Sequence, residues 1–203
     1  MYAQIFDSIQ TSLKTKPHII GGFGSKNTFI DGFRSPIFTL RGGLEFNRRI
    51  SMGVGISWLK RPPYEPAQNN LPFYLDKLLV EPTGSSVIHP ALQFRYLNLF
   101  FEYVYYKTGK WHFSLPIQLG LGDSRYKYKV NGEKMVENKH LIFLYEPGVS
   151  GQYKINKWLG AGLDVGYRLM LINNKTIGSR FNSPVYDIKI IIFWGEIYKT
   201  IFN

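Results

Sequence analysis

The stretch Phe38-Thr39-Leu40-Arg41-Gly42-Gly43-Leu44-Glu45-Phe46, together with the run Ile50-Ser51-Met52-Gly53-Val54-Gly55-Ile56-Ser57-Trp58 that follows it, alternates between large apolar residues and a set made only of Thr, Arg, Gly, Glu and Ser. Along a strand, successive side chains point to opposite faces. Phe38, Leu40, Leu44 and Phe46 therefore share one face, and Arg41 and Glu45 the other. A water-soluble sheet would turn that second face to solvent and carry several Lys and Glu on it. A Gly/Ser face broken by one acid and one base instead suits the inside of a closed barrel whose apolar face meets lipid.

The alternation recurs down the chain. Trp111, Phe113, Leu115, Ile117, Leu119 and Leu121 oppose His112, Ser114, Pro116, Gln118, Gly120 and Gly122. Leu159, Ala161, Leu163, Val165, Tyr167 and Leu169 oppose Gly160, Gly162, Asp164, Gly166 and Arg168. Leu141, Phe143, Tyr145 and Val149 oppose Glu146, Gly148, Ser150 and Gln152. Strand candidates fall at about 17–25, 35–47, 50–60, 88–106, 111–129, 139–153, 158–171 and 184–199, eight runs bounded by turn residues. Connections at 47–49, 107–110 and 154–157 are tight, and those at 26–34, 61–87, 130–138 and 172–183 are longer. Short turns at one end and long loops at the other are how transmembrane barrels divide their two sides. Ahead of the strands, Ile5, Ile9 and Leu13 recur at helical spacing between Asp7 and Lys14. The expected fold is all-β: an eight-stranded antiparallel up-and-down transmembrane β-barrel over 16–203, with a short N-terminal helix in an amphipathic leader over 1–15.

Composition agrees. The chain has 203 residues, suited to one barrel domain, with 16% aromatics and 20 Gly; Tyr and Trp are what interfacial girdles require. The 25 Lys and Arg against 14 Asp and Glu give +11, but the bases form no single run, which argues against nucleic acid. Zero Cys excludes disulfides, thiol catalysis and Cys-bound metal. No run approaches the roughly 18 apolar residues of a membrane helix, so crossing must be by strands. Met1 to Lys16 lacks the apolar core of a secretion signal, and the chain is read as mature or truncated.

Two irregularities and a partial closing signal are expected. With Gln93 and Arg95 inward, the parity must slip near Leu97-Asn98 to bring Glu102 inward too, which calls for a β-bulge there. Pro116 removes a ladder donor in a sheet without free edges and suits a second bulge. The last segment, from Gly195 to Asn203, has the spaced aromatics of a closing strand.

These features resemble the small eight-stranded outer-membrane barrels, such as the transmembrane domain of outer-membrane protein A and the lipid A palmitoyltransferase. Gly22-Phe23-Gly24-Ser25-Lys26-Asn27-Thr28-Phe29-Ile30 and Gly42-Gly43-Leu44-Glu45-Phe46 look most like uncharacterised barrel proteins of Bacteroidetes-type bacteria. The resemblance implies a Gram-negative outer membrane and a monomer among outer-membrane lipids, lipopolysaccharide included; it implies architecture rather than activity.

The expected lumen collects Arg41, Glu45, Gln93, Arg95, Glu102, Gln118, Glu146, Asp164, Arg168, Asp187 and Lys189. A barrel of this size holds its own side chains or one small ligand, so the set reads as an ionic filling that stiffens the barrel, with a narrow pore or small-ligand cavity as the rival. Arg125, Lys127 and Lys129 alternate with Tyr126 and Tyr128 on an extended strand and suit lipid phosphates at the outer rim. Asp123 and Ser124, with His89 and His140 expected at the same rim, resemble the site of the lipid A palmitoyltransferase and are the candidates for acyl transfer. No His pair has metal-ligand spacing, and no cofactor is expected. The Pro- and Tyr-bearing loop 61–87 is long enough to engage an extracellular partner. The reading adopted is a structural or surface-interaction barrel without catalysis. Its rivals are an exterior-rim acyltransferase and a soluble lipocalin-like barrel with the two faces exchanged.

Overall fold

Period-two alternation sustained over ten or more residues gives strands that bury one face whichever partner they find, and closure removes every unpaired edge. In the computed structural model, which describes residues 2–30, 33–60, 77–81, 84–88, 90–130, 133–173 and 181–202, eight strands close a ring. They are β1 (His18–Ile30), β2 (Phe33–Phe46), β3 (Ile50–Leu59), β6 (Ala91–Thr108), β7 (Trp111–Val130), β8 (Glu133–Lys154), β9 (Leu159–Ile172) and β10 (Ser183–Ile192). Around the ring the order is β1-β10-β9-β8-β7-β6-β3-β2, antiparallel at every pairing. A separate hairpin, β4 (Lys77–Glu81) with β5 (Gly84–Ile88), lies within the connection from β3 to β6. Helix α1 (Tyr2–Leu13) precedes the ring and helix α2 (Trp194–Phe202) follows it.

The faces divide as the alternation demands. Leu97, Val54, Leu99 and Ile188 are at least 60% exposed on the outer wall, whereas Arg168 and Lys189 are fully buried inside. A lipocalin-like barrel would have these two sets exchanged.

Several boundaries differ from expectation. The β1–β2 ladder continues to Ile30↔Phe33 and the β7–β8 ladder to Val130↔Glu133, so most of the connections expected at 26–34 and 130–138 are strand. β7 has 20 residues and β8 has 22, about twice the 9–11 that span a bilayer; both project well past the apolar belt. Of the expected loop 61–87, residues 61–76 and 82–83 lie outside the described residues, and the remainder is the β4–β5 hairpin.

The bulge expected at Leu97-Asn98 is not there: β6 pairs with β7 without a shift from Ala91 to Val104. The shifts fall instead at Tyr105, at Asn138 and at Leu171, each giving one strand an extra residue. Asn138 takes a left-handed φ of 52°, which Asn tolerates. At Tyr105-Tyr106 and Leu171-Ile172 the extra residue turns two successive apolar side chains outward. No shift marks Pro116, since β7 and β8 keep one register from Ser114↔Ser150 to Ile117↔Pro147; the proline falls in a gap in the ladder.

The tight turns follow their residues. Asn47 and Arg48 both have positive φ and Arg49 N–H returns to Phe46 O at 2.9 Å, a type I′ hairpin. Asn156 Oδ1 accepts the N–H groups of Trp158 and Leu159, both at 2.8 Å, fixing the β8–β9 turn. Gly43 and Gly53 face each other across β2 and β3; a Cβ on Gly53 would stand 2.5 Å from Gly43 Cα and 2.9 Å from the Phe100 ring. Only glycine lets Phe100 fill the interior at that level.

The chain's last strand is shorter than expected. β10 ends at Ile192, and Trp194–Phe202 is helical, with Glu196 in its first turn and the N–H groups of Glu196 and Ile197 returning to Phe193 O. The spaced aromatics read above as a closing strand lie on this helix.

The outer wall supplies a direct test. Leu99 sits between Val54 and Leu119 in the middle of the apolar belt. Leu99→Arg should lower the unfolding free energy in lipid vesicles by about 2–4 kcal/mol, read by denaturant titration, while the same change at exposed Thr108 beside a short turn should cost well under half of that.

Candidate functional site

The barrel interior has two tiers. Toward the short turns it is ionic. Glu102 Oε1 accepts from Ser114 Oγ at 2.5 Å and from Gln152 Nε2. Lys189 Nζ stands 3.4 Å from both Glu102 oxygens and 2.8 Å from Asp164 Oδ1. One step further, Glu146 is held by two cations: Arg168 Nε donates to Oε1 at 2.5 Å and Lys26 Nζ to Oε2. Lys26 also donates to Gln118 Oε1 at 3.1 Å. Arg41 holds its guanidinium 5.5 Å from the centre of the Phe100 ring. Beside them Thr39, Ser57 and Asn98 form a short hydrogen-bonded chain, at 2.9 and 3.0 Å.

Withdrawing these charges from water is expensive and is offset only where each finds partners in good geometry. Glu146, Glu102 and Lys189 each have at least two. A cavity of about 50 Å3 remains among Lys26, Arg41, Gln118, Glu146, Asp164 and Asp187. A second of about 20 Å3 lies toward Glu45, Ser51, Gln152 and Phe193, and both are bordered by Arg41, Phe100 and Glu102. At 10–15 Å3 of such space per molecule, the two have room for a few waters and for nothing the size of a metabolite.

Toward the projecting end the interior becomes apolar. Ile37, Leu59, Leu92, Phe94, Tyr96, Tyr126, Ile142, Leu144 and Phe181 pack into one buried cluster. Phe181, from the connection between β9 and β10, stacks on Phe94 with ring centres 4.3 Å apart. Arg168 joins the tiers, its guanidinium 5.7 Å from the Phe94 ring and 5.9 Å from the Tyr96 ring.

Of the residues expected inside, Arg41, Glu45, Glu102, Gln118, Glu146, Asp164, Arg168, Asp187 and Lys189 border the cavities or are buried in the interior. Gln93 and Arg95 do not: even-numbered residues of β6 face inward from Leu92 to Val104, so Leu92, Phe94, Tyr96 and Asn98 occupy the interior. Arg95, its side chain 58% exposed, pairs outside with Asp123 at 2.9 Å. The physical reason is the solvent. Above the apolar belt the outer face meets water, so a base belongs there and the interior takes the apolar side chains. Lys26 was missed as an interior group because it was assigned to a loop, although it shares the parity of Gly22 and Gly24. Nothing in its local pattern pointed to Phe181.

The structure divides the acyl-transfer candidates between the two faces of the wall. Asp123 and Ser124 are consecutive in a strand and take opposite faces: Asp123 pairs outside with Arg95 and Arg125, and Ser124 is fully buried inside. His140 lies opposite Ser124 on β8, and its Nδ1 is 3.0 Å from Asn138 O. His89 lies outside the described residues.

Arg125, Lys127 and Lys129 share the parity of Leu119 and Leu121 on β7, beyond the belt. The boundary is sharp: Leu97↔Leu121 is followed by Arg95↔Asp123, then Gln93↔Arg125 and Ala91↔Lys127. Lys129 lies directly across from Lys134, a like-charge pair that by itself is destabilising. The aromatic alternating with Arg125 and Lys127, Tyr126, is inside the barrel, so it does not share their surface.

No protein-family model and no curated protein matches this chain. Among solved structures, the crystal structure of Neisserial surface protein A aligns over 87% of this chain and 96% of its own, at 9% identity and a TM-score of 0.53. Ail, the attachment invasion locus protein of Yersinia pestis, solved with the heparin analogue sucrose octasulfate, aligns over 87% and 96% at 12% identity and a TM-score of 0.46. The N-terminal β-barrel domain of Pseudomonas aeruginosa OprF aligns over 87% and 98% at 7% identity and a TM-score of 0.41. The structural neighbours are small eight-stranded outer-membrane barrels, and at such identities the likeness is one of fold.

The Lys26–Glu146–Arg168 triad is open to a double test. Arg168→Ala should lower the unfolding free energy by about 3–5 kcal/mol by stranding a buried carboxylate. Replacing all three together, by Lys26→Met, Glu146→Leu and Arg168→Met, should recover most of that loss in denaturant titrations of the refolded barrel.

Proposed function

We propose that this chain is a monomeric outer-membrane barrel of a Gram-negative bacterium, with a structural or surface-interaction role and a charge-filled, non-conducting lumen. The observation that carries it is the pairing of a leucine- and valine-covered outer wall with fully buried Arg168 and Lys189, an arrangement stable only where hydrocarbon is the outer solvent. Residues 1–15 are read as an amphipathic leader ahead of the barrel at 16–203.

Arg125, Lys127 and Lys129 lie just beyond the apolar belt, at the level where lipid phosphates would stand. In this reading they grip the phosphates of lipopolysaccharide, each base contributing about 1 kcal/mol, and the contact weakens with added salt. The projecting part of β6 to β8 and the connection spanning 61–87 then form the surface offered to an extracellular partner.

The test compares the barrel in vesicles containing lipopolysaccharide with the same barrel in phosphatidylcholine. Changing Lys127 and Lys129 to Gln should remove most of the stabilisation that lipopolysaccharide confers while leaving stability in phosphatidylcholine nearly unchanged; Arg125 is kept, because it also holds Asp123. Equal loss in both lipids would reject the phosphate contact. A chain that stays in solution without detergent would reject the membrane reading altogether.

A further inference from the structure

Two neighbouring short turns carry the same pairing of residues. Tyr106-Lys107 leads into the β6–β7 turn and Lys110-Trp111 leads out of it; Tyr153-Lys154 leads into the β8–β9 turn and Lys157-Trp158 leads out. In every pair the lysine stands nearer the tip of the turn and the aromatic nearer the barrel. β7 and β8 are adjacent in the ring, and the Lys154 N–H donates to Lys110 O at 2.9 Å, which fastens one turn to the other. No Asp or Glu occurs from 103 to 122 or from 147 to 163, so these two ends hold bases without acids. The β2–β3 turn beside them differs, because its Arg48 pairs with Glu196 at 3.0 Å.

The aromatics lie together on the outer wall. The Trp111 ring is 5.0 Å from that of Tyr153 and 6.2 Å from that of Phe113, and Phe113 is 6.1 Å from Tyr106. Tyr106, Trp111 and Trp158 are exposed. Trp and Tyr settle at the level of lipid headgroups, so a wall that ends in this cluster has the headgroups at the same height. Lys107, Lys110 and Lys157 are exposed just beyond it, and Lys154 holds its ammonium 4.9 Å from the centre of the Phe193 ring. Bases gathered beside a membrane-spanning segment attract acidic headgroups, and long lysine stems let the ammonium reach the phosphates. A soluble anion could meet the same charges, but the outward ring cluster would be idle in holding it.

We propose that the face formed by Lys107, Lys110, Lys154 and Lys157 binds anionic phospholipid in the leaflet at the short-turn rim. The ammonium groups meet the lipid phosphates, and Tyr106, Phe113, Trp111 and Tyr153 pack against the upper part of the acyl chains. Resting on the membrane reading given above, this site lies at the opposite end of β7 from Arg125, Lys127 and Lys129.

The chain has no cysteine, so Thr108→Cys, at an exposed position between Lys107 and Lys110, gives a unique site for a fluorophore at this rim. The full-length barrel is refolded into phosphatidylcholine vesicles that contain nitroxide-tailed phosphatidylglycerol or, at the same mole fraction, nitroxide-tailed phosphatidylcholine. The phosphatidylglycerol probe should quench the fluorophore about fivefold more strongly. That preference should fall to parity when Lys107→Gln, Lys110→Gln and Lys157→Gln are combined, with Lys154 kept because of its contact with Phe193. Added salt should remove it from the unsubstituted rim as well, so the result does not depend on the triple variant folding. Equal quenching by the two lipids, or a preference that survives the substitutions or the salt, would overturn the site and leave the barrel in its membrane. Equal quenching together with binding of polyphosphate to the barrel in pure phosphatidylcholine would assign the lysines to a soluble anion and also overturn the proposal. Quenching by neither lipid would overturn the membrane reading along with it.

Discussion

Closure of the ring, with an outer wall that is apolar along its belt and polar beyond it, is the constraint on which the rest of the structure depends. In hydrocarbon every backbone N–H and C=O must be satisfied within the protein, and the eight-stranded ring does this by leaving no edge. Once the ring is closed, each strand has one inward and one outward row between its bulges. β6 keeps even-numbered residues inward from Leu92 to Val104. What changes along it is the medium outside: Leu97 and Leu99 are outward within the belt, and Arg95 and Gln93 are outward beyond it. The interior inverts in step, from Glu102 and Asn98 to Tyr96, Phe94 and Leu92. The barrel is thus an inside-out protein in its belt and an ordinary one, with an apolar core, where it projects.

The inversion gives the interior its chemistry. In the belt the outer wall uses the apolar residues, and the inside carries charges that hold one another: Glu146 with Lys26 and Arg168, and Lys189 with Glu102 and Asp164. Glycine at 53 admits the Phe100 ring. Above this, Phe94 and Phe181 stack into a plug. Arg168 belongs to both tiers, since its guanidinium bonds Glu146 on one side and lies over aromatic rings on the other. Such a network ties β1, β7, β8 and β9 to one register, because a slip of one residue would turn a buried charge outward into lipid. The two cavities beside it, among the described residues, are water-sized, which is why the interior reads as a rigid filling.

The alternation in β2, β3, β7 and β9 was enough to establish strands, faces, ring closure and most of the interior acids and bases, because period two is a local property that a stretch of ten residues displays by itself. The tertiary structure alone decided where the belt stops. Alternation says which residues share a face and is silent about where the outer wall turns polar, so by pattern alone Gln93 and Arg95 fall inward and need a bulge at Leu97-Asn98 to share the interior with Glu102, whereas β6 runs without a shift there. Lys26 became an interior cation, and Phe181 a plug, only through strands brought together by closure from distant parts of the chain. The end of β10 was likewise undecidable locally, since Trp194, Tyr198 and Ile201 are apolar side chains that a strand or a helix can carry. Contacts with Gly21, Arg48 and Trp158, which exist only in the closed ring, settle the helix.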